Sequence, residues 1–408
     1  GGEALDYREL IRTIQERSPE EAVPYLKTLV SKIEDEQDPA LELTLLLERS
    51  YFELLRYFHG RYAGSESGSD LSEALKYAKA YRERFPQGGF TATVVDLESE
   101  LLMAEKRWEE ALVVFDFGLN RVESLRIPFE TRVRWLERVA LVYAAQDKWL
   151  EGEARFLQLF ELSFIPPQTK GLAAIYLLQT YNLKEEPENA LPLIPFLATA
   201  GDDRFDPKLN FTLYQLGNQF SNRSEYSNAN YFYFLTLPLE EIIAFYEGKL
   251  SSLRERQKWY RDPDSALAIE TRAEADALEA YLEELRKQTS YTAPVKYHRA
   301  RNLERMDRTY DAFFAYLRLI REHPEHTQAE LFHFTAMRQA IDIGYFKEAI
   351  ELGTGYLDNP AYTTYRREVM AKLIGAYFDA DRYDELHALG RQFLSEFPEH
   401  AYGLQVAH

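Results

Sequence analysis

Ten X-Pro steps cut the chain into short pieces: at Pro19, Pro39, Pro86, Pro128, Pro166, Pro207, Pro263, Pro324, Pro360 and Pro398. Proline fixes φ and lacks an N–H, so it suits a helix start and stops the helix before it. Between these marks apolar residues recur at three- and four-residue steps, and regular strand alternation is nearly absent. The chain therefore reads as all-α, in helices of roughly 12 to 18 residues. The last three marks lie 36 and 38 residues apart, and each closes the same kind of segment.

Between Pro324 and Pro360 the pattern predicts a helix from Ala329 to Ile343, a turn at Gly344-Tyr345-Phe346-Lys347-Glu348-Ala349, and a second helix to Leu357. The next unit copies it, with a helix from about Thr364 to Phe378 and a turn at Asp381-Arg382-Tyr383-Asp384-Glu385-Leu386. Its second helix ends at Phe393-Leu394-Ser395-Glu396-Phe397-Pro398. Asp307-Arg308-Thr309-Tyr310-Asp311-Ala312 and Lys106-Arg107-Trp108-Glu109-Glu110-Ala111 occupy the same turn upstream. Eight or nine helical pairs are expected, about five of them with clear repeat residues.

This pattern resembles the tetratricopeptide repeat, a helix–turn–helix of about 34 residues with W-x2-L-G-x2-Y in its first helix and A-x3-F before a closing Pro in its second. Leu213, Leu216-Gly217 and Phe220 match the first helix, and Ala229 with Tyr233 the second. Met370, Leu373 and Tyr377 give another first helix, in which Ile374 stands where a small residue is usual. The resemblance implies a right-handed α-solenoid of such repeats, because a pair of short amphipathic helices cannot bury its apolar face alone and stacks on the next pair.

From roughly Leu239 to Lys287 the pattern changes. Two longer helices rich in Glu, Arg and Lys, about Leu239 to Tyr260 and Ser265 to Lys287, meet at Arg261-Asp262-Pro263-Asp264 and predict a charged helical hairpin, either packed in series or projecting. The expected organisation is an N-terminal solenoid over residues 1–237, the hairpin over 238–290 and a C-terminal solenoid over 291–408. Gly60 to Asp70 is expected to be a flexible loop by composition. Ala401 to His408 reads as the opening of a further first helix, so the C-terminal solenoid is expected to run on.

In the geometry that the resemblance implies, first helices line a concave groove. Phe211, Tyr214, Asn218, Ser221 and Asn222 are expected to point into it from the best-matched unit, with His298, Asn302 and Arg305 in the next and Phe334, Arg338 and Asp342 beyond. Amides that hold a peptide backbone and aromatic pockets for its side chains suit a protein or peptide partner. Aromatics at helical spacing also serve as interhelix packing, and an Asn near a helix end as a cap.

Composition narrows the field. With 48 Lys and Arg against 67 Asp and Glu, the formal charge of −19 argues against broad nucleic-acid or anionic-membrane binding. The absence of Cys removes disulfides, thiolate nucleophiles and Cys-based metal sites. No apolar run approaches the roughly 18 to 20 residues of a spanning helix. No phosphate-binding loop, dinucleotide-type Gly loop or His-Glu-x-x-His occurs. Glu330-Leu331-Phe332-His333 has the Glu-x-x-His spacing of carboxylate-bridged iron sites but lacks the second copy such a site needs. Adjacent pairs such as Glu109-Glu110 and Glu283-Glu284 do not face each other on a helix and read as solvated surface.

These features predict a non-catalytic scaffold with no cofactor. The rival readings are a helical (α/α) barrel acting on carbohydrate and self-assembly through the hairpin. The endings Tyr81-Arg82-Glu83-Arg84-Phe85-Pro86, Leu319-Ile320-Arg321-Glu322-His323-Pro324 and Phe393-Leu394-Ser395-Glu396-Phe397-Pro398 look like those of bacterial envelope repeat proteins, including the outer-membrane assembly lipoprotein of the BamD type and the repeat protein of the Tol-Pal system. That resemblance implies a periplasmic or outer-membrane-associated setting, with a cytoplasmic one as the alternative.

Overall fold

The computed structural model describes residues 4–399, and the expectation for Ala401 to His408 lies outside them. Every regular element among the described residues is helical. The chain divides into two compact units on either side of Leu177.

In the first unit the helices pair as α1 (Ala4–Gln15) with α2 (Pro19–Glu34), α3 (Leu41–Ser65) with α4 (Gly68–Arg84), α5 (Thr91–Ala104) with α6 (Trp108–Leu119), and α7 (Phe129–Ala145) with α8 (Trp149–Glu161). Helix α9 (Pro167–Leu183) leads into the second unit, where α10 is a single turn (Pro187–Ala190). Pro192 and Pro195 remove two backbone donors just beyond it, and the chain continues as a 3₁₀ segment, Leu191–Thr199, that still buries Leu193, Ile194 and Leu197. Then come α11 (Pro207–Asn222) with α12 (Tyr226–Leu235), α13 (Leu239–Gln257) with α14 (Ala266–Lys287), α15 (Thr292–Arg305) with α16 (Thr309–Glu322), α17 (Ala329–Asp342) with α18 (Phe346–Asp358), and α19 (Arg366–Asp379) with α20 (Tyr383–Glu396). Within each unit packing runs between consecutive helices, so this is the expected solenoid of helix–turn–helix repeats.

The turns show the repeat most sharply. Between first and second helix a left-handed residue recurs at Lys106, Asp147, Glu185, Ser224, Asp307, Gly344 and Asp381, with φ from 53° to 78°. The next residue's N–H reaches back five positions, from 2.7 Å (Tyr345 to Ala340) to 3.0 Å (Arg308 to Leu303). This Schellman-type closure satisfies carbonyls that the ending helix leaves open. Arg107, Arg308 and Arg382 then each bind a carboxylate in the first turn of the second helix, Glu110, Asp311 and Glu385. The residues before the closing prolines agree equally well: Phe85, His323 and Phe397 have φ of −126°, −133° and −130° and ψ of 56°, 56° and 59°.

Three expectations are refined. Helix α3 runs through Gly60 and Gly64 to Ser65, so the expected loop at Gly60 to Asp70 shrinks to Glu66 and Ser67. Neither glycine has a neighbour to pack on, and the helix is carried past them by buried Phe58 and by Tyr62, whose hydroxyl donates to Glu105. The hairpin α13–α14 packs on itself, while α15 packs directly on α12, so the repeat stack resumes across the insertion. The second unit therefore includes helices on both sides of the hairpin, and it begins within α9. The hairpin is fastened at its foot: Phe205 and Phe245 stack at 3.8 Å, Glu240 accepts from Ser290 at 2.7 Å and Thr292 at 2.6 Å, and Tyr291 donates to the Leu237 carbonyl at 2.9 Å.

Candidate functional site

Small residues set the spacing in the best-matched pair. A Cβ on Gly217 would lie 2.5 Å from the Tyr233 ring, so α12 approaches α11 closely enough to bring Tyr233 under the first helix. Its hydroxyl donates to Asn218 Oδ1 at 2.7 Å. The ring lies 5.9 Å from Tyr214 and 6.0 Å from His298 of α15, and Tyr214 lies 5.8 Å from His298. Phe211, 46% exposed, adds a fourth ring 6.2 Å from Tyr214. Four of the expected residues thus meet in one place, together with Tyr233.

Two turns beyond His298 on α15, exposed Arg305 lies over the Tyr226 ring at 5.4 Å. Arg301 is on the same face, one turn after His298. Burial, reinforced by Arg301 and Arg305, holds the His298 imidazole below its usual range and leaves it neutral at pH 7. No carboxylate among the described residues pairs with Arg299, Arg301 or Arg305. Residues 291–321 hold seven Lys and Arg against three Asp and Glu, a local excess of positive charge in a chain of −19.

The remaining expected residues divide. Ser221 and Asn302 are a correction, since both are buried and Ser221 donates to Asn302 Oδ1 at 3.0 Å. This buried bond between α11 and α15 holds the two helices in register, while Asn302 Nδ2 has no partner among the described residues. Asn222 is exposed at the last residue of α11, and Asp342 at the last of α17. Phe334 stacks on Tyr365 at 4.5 Å, and Arg338 is paired with Glu304 of α15. The structure does not bring Phe334, Arg338 and Asp342 into contact with the aromatic cluster.

Polar ties of the Ser221–Asn302 kind recur between successive first helices. Thr212 donates to Gln179 at 2.6 Å and Asn182 to Gln215 at 2.8 Å, while in the first unit Trp135 Nε1 donates to Asp96 at 2.8 Å. Sequence reasoning missed Tyr233 and Tyr226 as members of the cluster. Tyr233 matches the second-helix pattern, and its position at the end of A-x3-Y was the available signal. Arg301 carried one as well, its spacing of three from His298.

The fold and site define an all-α array of tetratricopeptide-type helix pairs with an aromatic, basic first-helix surface. Three solved structures are similar to it at low identity. A tetratricopeptide repeat protein from Parabacteroides merdae is 13% identical, over 71% of this chain and 99% of that one, with a TM-score of 0.35. The apo form of RapI is 8% identical over 99% and 97%, with a TM-score of 0.35. The TPR domain of P58(IPK) is 16% identical over 88% and 96%, with a TM-score of 0.24. No family model matches the chain, and no curated protein matches it in sequence.

Among the described residues no group of three His, Asp or Glu is placed to hold a metal ion, and no helix is long and apolar enough to cross a membrane.

Proposed function

We propose that the protein is a non-catalytic scaffold that binds an acidic segment of a partner protein on the first-helix face of α11 and α15. One observation carries this reading: among the described residues three guanidinium groups of α15 lack an ion pair in a chain rich in carboxylates, and two of them flank an aromatic cluster that is partly open to solvent. Arginines and aromatics are the residues that anchor protein interfaces. Phe211 and Tyr214 offer rings to an apolar side chain, and Arg301 and Arg305 offer charge-assisted hydrogen bonds to a neighbouring carboxylate. Against the net negative charge of the chain, the local positive field of α15 favours an acidic segment at this face. The proline-closed repeat endings support a bacterial envelope assembly as the setting.

The test is affinity capture from envelope and cytosolic fractions, followed by titration of the captured partner. Arg305→Glu with Tyr214→Ala should weaken binding by at least about 10- to 100-fold, the size of a lost charge-assisted hydrogen bond, with unchanged helicity. Binding should also weaken as salt rises. Full affinity in the folded double variant would remove the site.

A further inference from the structure

A second site lies in the first unit, far along the sequence from α11 and α15. Helices α1, α2 and α3 enclose a cavity of about 410 Å³. Its walls are apolar, with Ile11 and Ile14 of α1, Val23 and Leu26 of α2, and Leu46 of α3. That volume falls in the range of small-molecule sites, which combine apolar walls with a few polar groups that fix orientation. Here the polar lining includes Arg17, Arg49 and Arg56, with Gln15, Ser50, Glu53 and Tyr57. Glu53 pairs with Arg56 at 3.2 Å, so one lining carboxylate stands against three guanidinium groups. Arg17 lies over the Tyr25 ring at 4.8 Å, and among the described residues neither it nor Arg49 meets a carboxylate. In a chain of −19 that is a place built for an anion.

We propose that this cavity binds a single-chain carboxylate amphiphile, a fatty acid, with its hydrocarbon chain between α1, α2 and α3 and its carboxylate on Arg49 and Arg17. An apolar chain alone would leave the arginines idle, and a small anion alone would leave the walls wet. A molecule with both parts satisfies each.

Calorimetric titration of the full chain with octanoate, decanoate and dodecanoate, each below its micelle threshold, tests this. Affinity should rise about tenfold for every two methylenes added. Decanol should bind at least about 10-fold more weakly than decanoate. Arg17→Glu with Arg49→Glu, both at exposed positions, should weaken decanoate by the same factor and leave decanol unchanged. Val23→Trp, which narrows the cavity, should weaken binding of both. Equal binding of acid and alcohol, no dependence on chain length, or unchanged decanoate binding in the folded charge-reversed variant would overturn the proposal. So would displacement of decanoate by an acidic amphipathic peptide that binds the Val23→Trp variant as well as the parent.

Discussion

Tyr81 and Glu48 form a hydrogen bond of 2.6 Å inside the first unit, and the pair reaches on into the next repeat. The Tyr81 hydroxyl accepts the backbone N–H of Phe90 at 2.9 Å, and Glu48 accepts that of Gly89 at 2.8 Å. The second unit repeats the device: Tyr356 donates to Glu330, Tyr365 N–H donates to the Tyr356 hydroxyl at 2.8 Å, and Thr364 N–H to Glu330 at 2.6 Å. In both places a first-helix carboxylate and a second-helix phenol satisfy donors at the start of the following first helix, where a helix has none of its own. One repeat therefore fixes where the next begins.

Tyr81→Phe should lower stability by about 1–3 kcal/mol, because it strips a partner from Phe90 N–H and from Glu48 in a buried site. Gly88→Ala should have a comparable effect for a different reason, since its Cβ would sit 2.3 Å from Glu48 Oε1 and 2.4 Å from the Tyr81 hydroxyl. Urea denaturation followed by circular dichroism measures both, and a wild-type midpoint for Gly88→Ala would contradict the close packing described.

Gly217→Ala tests the approach of α12 to α11. The added methyl meets the Tyr233 ring and should cost about 1–3 kcal/mol. It should also displace Tyr233 from Asn218, so partner binding should fall along with thermal stability.

Asn210 is fully buried with every polar group engaged: Oδ1 accepts from Arg204 and from Leu237 N–H, both at 2.8 Å, and Nδ2 donates to the Arg204 and Asp206 carbonyls at 3.0 and 2.9 Å. Asn210→Ala should cost about 2–4 kcal/mol, since several buried groups lose partners at once. Faster amide hydrogen exchange at Leu237, at the entrance to the hairpin, is the specific sign to look for.

His298 makes stability depend on pH. It is held neutral among Tyr214, Tyr233, Tyr297, Arg301 and Arg305, and its value lies below the ordinary 6.5 that the unfolded chain would show. The unfolded state therefore takes up a proton first, and stability falls as pH drops from about 6.5 toward the folded value. Nuclear magnetic resonance titration should place the His298 midpoint below 6.5, and Arg305→Ala should raise it. In His298→Gln the loss of melting temperature between pH 7 and 5.5 should be shallower.

The helix pairs and their turns were readable because proline and apolar period act locally, and the positions expected for the turns at Lys106, Asp307, Gly344 and Asp381 carry the same left-handed closure. What misled was composition taken without packing. Gly60 and Gly64 looked like a loop, yet a helix tolerates two exposed glycines when Phe58 and Tyr62 beside them are anchored. Ser221 and Asn302 stand 81 residues apart, and only the looping-out of the hairpin makes them neighbours. The total charge likewise concealed a basic α15, because a sum over the chain carries no information about where its charges meet.

The left-handed turns have one more consequence. Six of the seven are occupied by residues with a side chain, Lys106, Asp147, Glu185, Ser224, Asp307 and Asp381, in a backbone conformation that only glycine adopts freely. Each is a small reserve of relievable strain, and only Ser224, which accepts from the Tyr226 hydroxyl at 3.3 Å, touches the surface of α11 and α15. Glycine at the other five bends offers separate places where this protein can be hardened against heat while its two surfaces of interest keep their chemistry.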